Sequence, residues 1–178
     1  MINYLKPILI FIPILIIQLV VIPLISVYEI VPQLILLLLV YYTLIGGQIY
    51  GMILGFIFGL FFDLFSNGVL GASALAMTIS MFIVGYFYSE NRITENISTY
   101  LFLFYLFISS VIYFLIYSEV GNFNPDTKLR VILFEGTFLP AVYTTLFGIL
   151  LVVFQSKRKF EWAKILVHSQ EKEFYLLS

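Results

Sequence analysis

The chain contains no cysteine. That excludes disulfides, thiol chemistry and thiolate-bound metals. A single histidine, His168, stands among scattered carboxylates, so the sequence supports neither a metal site nor a cofactor. Charge is scarce as well: 11% of the 178 residues are Asp, Glu, Lys or Arg, against about 25% in ordinary soluble domains. So few charges cannot cover the surface of a soluble protein. The net charge of −1 gives no reason to expect a nucleic-acid partner. No stretch of about ten residues alternates strictly between polar and apolar side chains, so a membrane β-barrel is not expected. No Ser/His/Asp set, phosphate-binding loop or acid–base carboxylate pair is recognisable, and the chain does not read as an enzyme. What it does have is apolar bulk, with 62% of its residues hydrophobic. The composition specifies an all-α, polytopic membrane protein.

Six hydrophobic segments can be marked. Residues 7–27 form the first, 21 residues long, matching the ~20 needed to cross a bilayer. Pro13 and Pro23 are expected to bend it. It lacks a small-residue cleavage site, so it reads as an uncleaved anchor rather than a signal peptide. Residues 33–45 and 48–62 are the second and third, separated at Gly46-Gly47. At about 22 Å each, both fall short of a ~30 Å hydrocarbon core. They either span with local thinning or form a re-entrant hairpin shielded by protein. Residues 69–88, 100–118 and 131–154 complete the set, with a polar loop at 89–99 and a turn-rich loop from Glu119 to Arg130. The organisation is one transmembrane domain, 1–156, and a basic then mixed tail, 157–178. No internal repeat is present.

Seven of the eleven glycines lie between Gly46 and Gly71. Gly51, Gly55 and Gly59 recur every four residues, and the next step of four reaches Asp63. On a helix this spacing makes one stripe without side chains, ending in a carboxylate. In lipid such a stripe lets another helix approach closely. With Gly71 it is a helix-packing surface or a partner interface. Gly71, Ala72, Ser73, Ala74 and Ala76 make the fourth segment the simplest neighbour to fill it. Asp63 itself has two readings. One is an anchor or pathway residue, the default for a charge in a span. The other is a structural carboxylate at a segment end, within reach of Ser66, Asn67 and the amides of the next turn. Arg130 or Lys128 could also pair with Asp63 or with Glu135, which lies about one turn into the sixth segment.

Six spans place both termini on one side. That side holds Lys6, Arg92, Lys157, Arg158, Lys159, Lys164 and Lys172, and the other only Lys128 and Arg130. The asymmetry predicts cytoplasmic termini. The basic run Lys157-Arg158-Lys159 reads as a topology signal, with contact to anionic membrane lipid as a second role.

Gly51-x3-Gly55-x3-Gly59-x3-Asp63, then Leu64-Phe65-Ser66, Gly68, Gly71 and Gly85-Tyr86, resembles the core of the MreD family of rod shape-determining proteins, over about residues 1–160. The resemblance implies a non-enzymatic scaffold in the bacterial inner membrane, serving cell elongation. It further implies an MreC-like single-span partner. Through that partner it would link MreB filaments to peptidoglycan synthesis by RodA and its transpeptidase partner. No catalytic residues carry over. The family is similar in fold to the substrate-binding subunits of energy-coupling-factor transporters, so a small-molecule transporter subunit is the alternative. Those subunits commonly carry an A-x3-A pattern in the first span, whereas residues 7–27 hold neither Ala nor Gly.

Overall fold

The computed structural model describes residues 2–26, 30–66, 68–88, 99–121, 134–150 and 152. These form six helices, and no strand occurs among the described residues. Helix α1, Ile2–Ile16, keeps its helical hydrogen bonding through Pro7 and Pro13. It departs from α geometry only further on, as a π turn over Ile17–Val21 and a 3-10 turn over Ile22–Ile25. Proline has no N–H and its ring crowds the carbonyl four residues back. The helix therefore widens just ahead of Pro23, where the Ile22 N–H bonds to the Ile17 carbonyl. The bend expected at Pro13 does not interrupt the hydrogen-bond pattern.

Helix α2, Leu34–Gly46, is followed without a loop by α3, Gln48–Phe65. Gly47 alone makes the break, with φ +89°, a backbone state that only glycine adopts without strain. Then come α4, Ala72–Gly85, α5, Thr99–Gly121, and α6, Gly136–Leu150, which opens on a π turn over Phe134–Phe138. Among the described residues, three apolar stretches are long enough to cross a membrane: Pro7–Ile25, Gln48–Phe65 and Tyr100–Val120. The second and third segments were both expected to be short. The third is not: α3 has 18 residues because it continues past Asp63 to Phe65. Among the described residues the shorter apolar helices are α2 and α4, of about 20 and 21 Å, and α6 is described over Gly136–Leu150.

α2 sits at the centre. Ile35, Leu36, Leu39, Val40 and Leu44 have no or almost no exposed surface, and α1, α3, α4 and α5 all pack on it. α3 and α4 make the most extensive helix–helix contact. α1 is peripheral. Its Phe11 ring stacks on Phe58 of α3, centroids 3.9 Å apart, while Leu9, Ile12, Ile16, Val20 and Leu24 stay exposed.

Gly71, just ahead of α4, is left-handed at φ +89°, ψ −11°. A Cβ there would meet nothing within 4 Å. Its role is conformational, not the packing role read from its place in the glycine cluster. Gly71→Ala is expected to cost about 1 kcal/mol through the left-handed backbone alone, measurable as a lower midpoint in SDS-induced unfolding of the purified protein.

Candidate functional site

The stripe on α3 is occupied by the chain's own helices. A Cβ at Gly51 would strike the Thr43 side chain of α2. At Gly55 it would lie 3.1 Å from the Met77 carbonyl oxygen of α4, and at Gly59 2.5 Å from the Ala74 Cα. The two backbones touch where side chains are missing. This is the packing expected when van der Waals contact rather than water exclusion drives association. Gly85 does the same service at the other end of the pair, where the Gln48 side chain lies over it and donates from Nε2 to the Phe82 carbonyl at 2.8 Å.

Asp63, at the end of the stripe, is 3% exposed. Its Oδ2 accepts from the N–H groups of Gly71 (2.9 Å) and Ala74 (3.2 Å), and its Oδ1 from the N–H of Ser73 (3.2 Å). A helix begins with amides that have no partner in its own ladder. α4 lacks a capping side chain at Gly71, so the preceding helix supplies one. A carboxylate also suits the positive end of the helix dipole. The hydroxyl of Ser66, expected near this carboxylate, is buried without a hydrogen-bond partner.

From Ser73 the polar contacts run on across the bundle. Ser73 Oγ is 3.3 Å from the Tyr113 hydroxyl of α5. That hydroxyl accepts from Gln33 Nε2 at 3.1 Å, and the Gln33 backbone N–H donates to Thr144 Oγ1 of α6 at 3.0 Å. Gln18, on the π turn after α1, is buried too. Its Nε2 donates to the Pro32 carbonyl at 2.9 Å and its Oε1 accepts from the Leu34 N–H at 2.7 Å, capping α2 as Asp63 caps α4. The Tyr143 hydroxyl of α6 donates to the Ile25 carbonyl at 2.9 Å. One end of the bundle is thus tied by hydrogen bonds that reach all six helices. Chemically, the arrangement fixes which helix starts beside which; its donors and acceptors are used on one another. Tyr113→Phe is expected to cost about 1 kcal/mol, read in the same unfolding assay, because it strips a partner from both Gln33 and Ser73.

Of the residues singled out from sequence, Gly55, Gly59 and Asp63 lie together on the α3–α4 contact, with Gly71 opposite the carboxylate, whereas Gly51 faces Thr43 of α2. Arg130, the side chain of Glu135, and the basic run Lys157, Arg158 and Lys159 lie outside the described residues, as does the tail from 157. Asp63 is engaged with backbone amides whatever Arg130 does. Gln18, Gln33, Tyr113 and Thr144 went unread. One signal was available for the first of them: Gln18 is the only polar side chain between Pro7 and Ile25, and a lone amide in a span needs a partner.

Described residues that are helical and free of strands, with three membrane-length apolar stretches and a buried polar tie, mark an integral membrane protein of the polytopic helical class. The family profile for rod shape-determining protein MreD matches residues 1–157, and the chain belongs to that family. Membership places it in the system that determines rod shape, in a family of structural membrane proteins not known as enzymes. No curated protein and no solved structure matches the chain, so the likeness to transporter substrate-binding subunits has no structural support.

Proposed function

We propose that this chain is a non-enzymatic scaffold of the cell-elongation machinery in the bacterial inner membrane. In this reading both termini are cytoplasmic. The chain binds an MreC-like single-span protein and helps couple MreB filaments to peptidoglycan synthesis by RodA and its transpeptidase partner. The observation that carries the reading is the family match over residues 1–157. The structure supports it in one respect. The buried polar side chains described above are used to hold helices in fixed relation, which suits a part that presents a rigid surface.

The test is depletion in the native host together with purification of the tagged full chain from membranes. Rounded cells and an MreC-like protein in the eluate are expected. Rods that persist after depletion would overturn the reading. So would an eluate that brings an ATPase module and a bound small molecule instead.

A further inference from the structure

We propose that a transmembrane helix of another protein lies along the outward face of α1 and donates side-chain hydrogen bonds to the carbonyls of Leu9 and Leu19. The identity of that protein rests on the scaffold reading.

Among the described residues Pro7, Pro32 and Pro140 are buried, whereas Pro13 and Pro23 are exposed. Both exposed prolines belong to α1 and its continuation. They share a face with Leu9, Ile12, Ile16, Val20 and Leu24, each more than half exposed. These positions step by three or four residues, which is one side of a helix. The opposite side, with Phe11, Leu15, Gln18 and Ile22, is buried.

Proline takes the helical N–H away from the carbonyl four residues back. Pro13 thus leaves the Leu9 carbonyl without its donor, and Pro23 does the same to Leu19. The π turn does not restore the second, because the Ile22 N–H reaches back to the Ile17 carbonyl. The 3-10 turn over Ile22–Ile25 pairs amides three residues back, which carries the Leu24 N–H to Val21. Two hydroxyls reach this stretch and go elsewhere: Ser26 Oγ donates to the Pro23 carbonyl at 2.8 Å, and the Tyr143 hydroxyl to that of Ile25. Among the described residues no side chain or loop amide donates to the Leu9 or Leu19 carbonyl.

In hydrocarbon such a carbonyl needs a donor from protein, and proline is tolerated in a span where a neighbour supplies one. Acyl chains have no donor. The outward face of α1 has none either, since Gln18 is the only polar residue between Pro7 and Ile25 and is already bonded inside the bundle. A second copy packed α1 against α1 would leave these carbonyls unanswered. A span carrying hydroxyl or amide side chains would answer them, with donors about 15 Å apart along its axis to match Leu9 and Leu19. The outward face of α3 is the contrast. Ile49, Ile53 and Phe56 are also more than half exposed, but α3 holds no proline, so acyl chains alone suit that face.

For the test, the full chain is co-expressed with the MreC-like single-span protein, and a benzophenone amino acid is placed singly at Ile16, Val20 and Ile53. Photo-crosslinks to the single-span protein are expected from positions 16 and 20 and not from 53. In a second arm Pro13→Ala and Pro23→Ala are combined, which returns an N–H to each carbonyl. The chain alone is expected to keep or raise its SDS unfolding midpoint, while its complex with the single-span protein weakens about fivefold to tenfold. Crosslinks from 16 and 20 to lipid only, or to a second copy, with the single-span protein still in the eluate, would overturn the proposal. So would an undiminished complex of the double variant. The crosslinking arm keeps the native prolines and stands whatever that variant does. Absence of the single-span protein from the wild-type eluate would overturn the scaffold reading, and this seat with it.

Discussion

Gly59→Leu is expected to remove most of the accumulated protein from the membrane. The Cβ alone would sit 2.5 Å from the Ala74 Cα, 2.7 Å from the Ala74 nitrogen and 2.8 Å from the Ser73 carbonyl carbon. All three atoms are backbone, and the Ala74 nitrogen is held by Asp63. No side chain can swing away, so α3 and α4 must move apart. Separation forfeits dispersion along the closest contact of the bundle and stretches the Asp63 bonds together with it. A cost of about 3 kcal/mol or more follows from overpacking of this kind. The stripe should respond in a graded way. Gly55→Ala meets the Met77 carbonyl oxygen at 3.1 Å and the movable Met81 Cγ at 3.3 Å, so a loss of about 1 kcal/mol is expected. Accumulation of a fluorescent fusion and the SDS unfolding midpoint read both effects. Wild-type values for Gly59→Leu would show that the stripe is not in contact with α4.

Asp63→Ala is expected to lower stability by about 3 kcal/mol, because three amides, those of Ser73 and Ala74 buried and that of Gly71 partly so, lose their acceptor at once. The amides of Gly71 and Ala74 share Oδ2, whereas that of Ser73 has Oδ1 to itself. Asp63→Asn divides these roles. Its oxygen can keep the shared position, but its NH2 then faces the Ser73 N–H, donor against donor. About half the loss seen in Asp63→Ala is expected for Asn, by the same hydrogen-bond arithmetic. Equal stability of wild type, Asn and Ala would rule out the carboxylate as the cap of α4. A defect in cell shape at unchanged stability would instead move Asp63 to the functional role a charge in a span invites.

Much of the architecture could be read from residue order because it is local. A period of four along Gly51, Gly55 and Gly59 defines a bare face of α3. The small residues Ala72, Ser73, Ala74 and Ala76 define a matching face on the helix that follows. The Gly46-Gly47 pair announces the break between α2 and α3, which the backbone realises at Gly47. The end of α3 was misjudged for a physical reason. A carboxylate in an apolar run suggests the edge of the membrane, but here its oxygens accept hydrogen bonds from amides of the next helix, and the run goes on through Leu64 and Phe65. The cross-bundle tie was illegible for another reason. Gln33 meets Tyr113 and Thr144 across sequence separations of 80 and 111, and no spacing or motif connects such distant positions.

Those separations also set an order for synthesis. Asp63 finds its donor partners 8 to 11 residues downstream, and Gln18 finds a carbonyl 14 and an amide 16 residues downstream. Both caps can close soon after their helices leave the ribosome. Gln33 must wait for Tyr113 and then for Thr144. A nascent chain halted before residue 144 therefore carries an amide at the head of its central helix with no acceptor from α6. The last helix to emerge thus completes the hydrogen bonding at the head of the central one.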